Sequence, residues 1–102
     1  MAITQTLVGT SATTVFTSVN NTATTALFFM NNNGSGRNLT IHVVKSGASA
    51  AATNVIVKAI TVNGGDTYVV NTEKLVLANG DTIQASATAA DSIYATVSSV
   101  SI

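Results

Sequence analysis

Ala78-Asn79-Gly80-Asp81-Thr82-Ile83-Gln84-Ala85-Ser86-Ala87 is the stretch that decides the fold class. Its first half is turn chemistry: Asn-Gly enters positive φ at little cost, which predicts a tight hairpin turn. Its second half alternates, with Ile83, Ala85 and Ala87 on one face and Gln84 and Ser86 on the other, the period of a half-buried strand. The turn recurs at Asn63-Gly64-Gly65-Asp66, again followed by Thr and an apolar residue. Two turn-then-strand units point to a β protein, and the rest of the chain agrees.

Outward from this stretch, runs of Thr, Val and Ile, stiff at χ1 and suited to a pleated surface, alternate with Gly, Asn and Asp. The pattern predicts strands at residues 3–8, 13–17, 24–31, 38–45, 54–62, 67–70, 74–77, 82–87 and 92–102. Eight or nine short strands at this spacing predict an all-β sandwich or barrel, with residues 1–102 as a single domain. Leu39, Ile41 and Val43 share a face, with Thr40 and His42 between them. In the last strand Ile93, Ala95 and Val97 share a face, then Val100 and Ile102 carry the apolar set, which predicts a bulge at Ser98-Ser99. Residues 26–30 and 55–62 are apolar on both faces. They are either central strands covered twice or strands whose outer face meets another chain. Residues 32–36 and 47–52, rich in small side chains, are expected to be the mobile loops, and 48–52 has room for at most one helical turn.

Composition narrows the function. Thr (17), Ala (15), Val (13), Ser (10) and Asn (10) make up 65 of 102 residues, and cysteine, proline and tryptophan are absent. Charged residues are 8%, against about 25% in an ordinary domain. Four basic residues and a net charge of zero argue against a nucleic-acid partner, because backbone binding rests on Lys and Arg displacing counterions. No thiolate metal site or disulfide is available. The start of the chain lacks a basic segment followed by a long apolar one. The longest apolar run, residues 26–30, is far short of the about 20 needed for a spanning helix. The expectation is therefore a chain made in a cytoplasm-like compartment, with no membrane partner.

Candidate chemistry is thin. His42 has no second His or Cys to share a metal and is read as an outward polar residue or an interface hydrogen-bonder. Asp66 and Asp81 follow Gly in turns, where Asp caps backbone amides; Glu73 and Asp91 complete the acids. No catalytic residue is expected, because no hydroxyl stands in a recognised nucleophile motif. No metal or cofactor is expected either, because no loop concentrates three carboxylates and no phosphate-cradling Gly-rich loop precedes a helix. The edge lysines Lys45, Lys58 and Lys74 read as devices against unwanted strand addition. Of Phe28 and Phe29, adjacent in one strand, one should enter the core and the other point away. Phe28, Phe29 and His42 are the candidate subunit-interface residues. So little charge suits a surface that is buried in a permanent assembly.

Several stretches together resemble a family of small tailed-bacteriophage virion structural proteins. They are Thr14-Val15-Phe16-Thr17, Asn38-Leu39-Thr40-Ile41, Val44-Lys45-Ser46-Gly47, Ile56-Val57-Lys58 and Gly65-Asp66-Thr67-Tyr68. Lys74-Leu75-Val76-Leu77, Gly80 to Ala87 and the closing Val97-Ser98-Ser99-Val100-Ser101-Ile102 complete the set. One departure is Ser18-Val19-Asn20-Asn21-Thr22, where the family often has a Pro-Ala-Gly turn. The resemblance implies an all-β, compact antiparallel β-sandwich of about eight strands, jelly-roll-like, in a virion assembled in the host cytoplasm. Its expected role is a head decoration (cement) protein, a homotrimer partnered by the major capsid protein or another virion protein. A neck, tail or baseplate adaptor for fibre attachment is the second reading. A receptor- or glycan-binding module, with Tyr68 and Tyr94 as its available tyrosines, is the third.

Overall fold

The computed structural model describes residues 2–71, 74–90 and 92–102. Among the described residues the β-branched runs form nine strands: β1 (Ala2–Leu7), β2 (Thr13–Thr17), β3 (Thr22–Asn31), β4 (Arg37–Val44), β5 (Val55–Val62), β6 (Thr67–Val70), β7 (Val76–Leu77), β8 (Thr82–Ala87) and β9 (Ile93–Ser101). No helix occurs among the described residues, 48–52 included. The strands make two antiparallel sheets packed as a β-sandwich. One runs β1-β9-β3-β6, with β7 also on β3; the other runs β2-β8-β4-β5. Leu27, Phe29, Leu39, Ile41, Ile83, Ile93 and Val97 fill the space between the sheets and are excluded from solvent.

The two Asn-Gly turns are tight but are not hairpins. In each, the fourth residue's N–H donates to the first residue's carbonyl: Asp66 to Asn63 at 3.0 Å, and Asp81 to Ala78 at 3.1 Å. Positive φ falls only at the third residue, Gly65 at 80° and Gly80 at 87°, the type II pattern rather than the primed pattern of a two-residue hairpin. The first turn carries the chain from β5 to β6 and the second from β7 to β8, each time from one sheet to the other. The Asp81 carboxylate fixes its turn by accepting the N–H groups of Ser46 and Ala78, both at 3.0 Å.

The expected bulge at Ser98-Ser99 lies instead on the partner strand. β9 pairs β1 without a break, and Ser99 is buried in phase with Ile93, Ala95 and Val97. The extra residue is Thr25 of β3, between Thr24 opposite Ser99 and Ala26 opposite Ser98. Val100 and Ile102 therefore do not turn inward, and Ile102 is exposed. The two doubly apolar segments also part company. Residues 26–30 belong to β3, flanked by β9 and β6, whereas β5 is an edge strand.

The loop at 32–36 is tied down. Asn31 is fully buried, its Nδ2 donating to the carbonyls of Ser35 and Val62 at 2.9 Å each, while its Oδ1 accepts the Asn33 N–H at 3.0 Å. A Cβ on Gly64 would stand 2.5 Å from the Gly34 carbonyl, so glycine lets this loop lie directly on the β5–β6 turn.

Candidate functional site: an apolar outer face

Strand register puts the site together. Outward-facing Tyr94 of β9 stands opposite Leu7 of β1 and Met30 of β3, and Thr96 stands between Gln5 and Phe28, which in turn faces Val69 of β6. Directly opposed residues share a face, so side chains from five strands meet on the outside of the five-stranded sheet. Six of the nine exposed large hydrophobic residues among the described residues are there: Ile3, Leu7, Phe28, Val69, Val76 and Tyr94. Leu7, Phe28, Met30 and Tyr94 line a shallow groove of about 400 Å³. The positions between them are Ala, Ser, Thr and Gln, and no formal charge stands in these rows among the described residues. The Lys74 ammonium, in the gap between β6 and β7, donates to the carbonyls of Thr25, at 2.8 Å, and Asn71. It thereby pairs with the carbonyl of the bulged residue on β3.

The three sequence candidates are not one patch. Phe28 is 39% exposed and lies at the centre of this face, while Phe29 is 0% exposed and belongs to the core. Phe29 is thus removed from the interface set, because adjacent strand residues point to opposite faces. His42 is on the other side of the sandwich, half-buried on the outer face of the four-stranded sheet beside Gln84. Its Nδ1 is 2.7 Å from Asn54 Oδ1. Ala51 N–H donates to that same oxygen at 3.0 Å, and Asn54 Nδ2 donates to the Ser49 carbonyl at 2.9 Å. These contacts orient the amide, so His42 Nδ1 is the donor. His42 and Asn54 together hold the connection between β4 and β5, including most of the 47–52 stretch.

Leu7, Ile3, Val69 and Val76 are site residues that strand-by-strand reading missed, because the patch exists only across strands. Tyr94 was legible as outward from the Ile93, Ala95, Val97 alternation. Tyr68 and Tyr94 do not share a loop cluster: Tyr68 pairs with Phe29 and packs against the core, while Tyr94 lies outside. Asp66 and Asp81 sit on separate turns, while Glu73 and Asp91 lie outside the described residues. Among the described residues, no three His, Asp or Glu come together as a metal site would require, and no helix is long and apolar enough to cross a membrane. A face of this kind adheres by losing water, at about 25 cal/mol per Å² of apolar area covered.

Comparison of the chain with protein-family models, curated proteins and solved structures finds no match.

Proposed function

We propose that this chain is a non-enzymatic virion structural protein of a tailed phage, a decoration protein that lies on the head lattice through the outer face of its five-stranded sheet. The observation that carries this reading is that face: apolar, uncharged among the described residues and spread over five strands. A surface that gains by dehydration and repeats by symmetry braces a shell through area alone. The partner is then the major capsid protein, and the homotrimer implied by the resemblance is one way of repeating the contact.

Topology supports a jelly-roll reading of the sandwich. The pairs β1–β9, β2–β8, β3–β6/β7 and β4–β5 are nested, as in one long hairpin, and β3–β9 and β4–β8 roll that hairpin into two sheets. β6 and β7 together fill a single strand position along β3.

Sedimentation with phage heads that lack the chain tests the reading. The wild-type chain should pellet with the heads. Phe28→Lys, which places a charge at the centre of the face, should stay in the supernatant with an unchanged circular dichroism spectrum. Wild-type chain left in the supernatant would overturn the decoration role and bring the neck or tail adaptor forward. Pelleting of Phe28→Lys as well would move the contact off this face.

A further inference from the structure

The sandwich has four sheet edges, and three are protected. β5 is bulged twice, with Ile56 and the Lys58-Ala59 pair out of register and Ala59 at φ 53°. β2 is bulged at Val15. The third edge is interrupted between Val70 and Val76, where Lys74 folds onto Thr25. Bulges and lysines of this kind prevent strand addition. β1 has neither. It pairs β9 in unbroken register from Ala2↔Ser99 to Leu7↔Tyr94 and carries no charge, and Ile3, Thr4, Gln5 and Leu7 are all exposed.

The ladder shows which backbone groups that edge offers. Val8 N–H donates to the Ile93 carbonyl at 2.8 Å, next in line after Leu7↔Tyr94. Hydrogen-bonded pairs alternate in an antiparallel ladder, so Thr6 and Thr4 also turn their backbone groups to β9. Ile3, Gln5 and Leu7 turn theirs to solvent. These three are spaced symmetrically about Gln5.

We propose that β1 is a self-pairing edge: two copies of the chain join antiparallel about a two-fold axis at Gln5, merging their five-stranded sheets into one. In that register Ile3 faces the second copy's Leu7, Gln5 faces Gln5, and Leu7 faces Ile3. Every backbone group the edge offers then finds a partner. The axis is perpendicular to the sheet, so both apolar faces stay on the same side, and the row Met30, Tyr94, Leu7 continues into Ile3 of the second copy. Thr4 and Thr6 meet on the opposite side as a hydroxyl pair. A second copy brings the same uncharged, unbroken edge, and its apolar outer face continues that of the first copy across the axis. The inference rests on the edge alone and gives a two-fold assembly in place of the threefold one that the resemblance implies.

Charge exchange at Gln5 is the test, read by light scattering during size exclusion. The wild type should run at twice the 10.3 kDa chain mass. Gln5→Lys and Gln5→Glu, each placing like charges across the axis, should run as monomers separately, and an equimolar mixture should recover the dimer mass. Gln5→Pro should also be monomeric yet folded, because it removes only an N–H that the β1–β9 ladder does not use. A monomeric wild type, or charged variants that keep the wild-type mass, would overturn the proposal. Head binding is scored separately, so a monomer that still pellets with heads would sink the edge and leave the decoration role standing.

Discussion

The sandwich has two outer faces with opposite solvent chemistry. Outside the five-stranded sheet stand Phe28, Tyr94, Leu7 and Val69. Outside the four-stranded sheet, β2, β8 and β4 present Thr14, Thr17, Thr40, His42, Thr82, Gln84 and Ser86, all able to hydrogen-bond water, and apolar Val55 and Ile56 stand at its β5 edge. Both faces lack carboxylates among these rows, so net charge does not distinguish them. A low-charge composition is compatible with a wet face or a sticky one, and strand register decides which residues gather on each.

The largest expected effect separates the inside of the apolar-faced sheet from its outside. Phe29→Ala should lower unfolding free energy in urea by about 3–5 kcal/mol, since it opens a cavity in the core. Phe28→Ala, one residue away, should cost under about 1 kcal/mol. Equal costs would mean that Phe28 is already covered in the free protein. The next comparison is between the faces themselves. Tyr94→Lys should weaken head binding at least tenfold, about 1.4 kcal/mol, whereas Gln84→Lys on the polar face should leave it unchanged; a matching loss from Gln84→Lys would erase the distinction.

A smaller effect is expected on the polar side. Asn54→Ala removes the acceptor for His42 and Ala51 and should cost about 1–2 kcal/mol, with faster hydrogen exchange at the Ala51 amide. Unchanged exchange there would show that the β4–β5 connection is held by other contacts. The smallest effect is on stability at Gln84: Gln84→Lys should stay within about 0.5 kcal/mol of the wild type in the same urea titration.

All nine strands were legible in the sequence, three of them to the residue: Thr13–Thr17, Thr67–Val70 and Thr82–Ala87. So was the split between Phe28 and Phe29, because period two is a local property. What failed was non-local. Asn-Gly specifies backbone angles but not whether the next strand pairs with the last one, so two arches between sheets read as hairpins. Val100 looked like a change of phase on β9, but the irregularity was at Thr25, on a strand distant in sequence. β5 was apolar on both sides and read either as central or as meeting another chain; the first reading fails, because β5 is a bulged edge. The outer patch was hidden because Ile3, Phe28, Val69 and Tyr94 come from four strands, and only pairing brings them together.

The nested pairing also has a mechanical consequence. Ala2 faces Ser99, so the two ends of the described chain leave the molecule side by side. Tension applied through them loads the β1–β9 ladder one rung at a time, because its hydrogen bonds lie perpendicular to the strands. The sandwich opens easily like a zip from its ends, whereas a load spread over the outer sheet face reaches all the strands together. Anchored by that face, the molecule bears strain on its strong axis; tethered by its ends, it would peel.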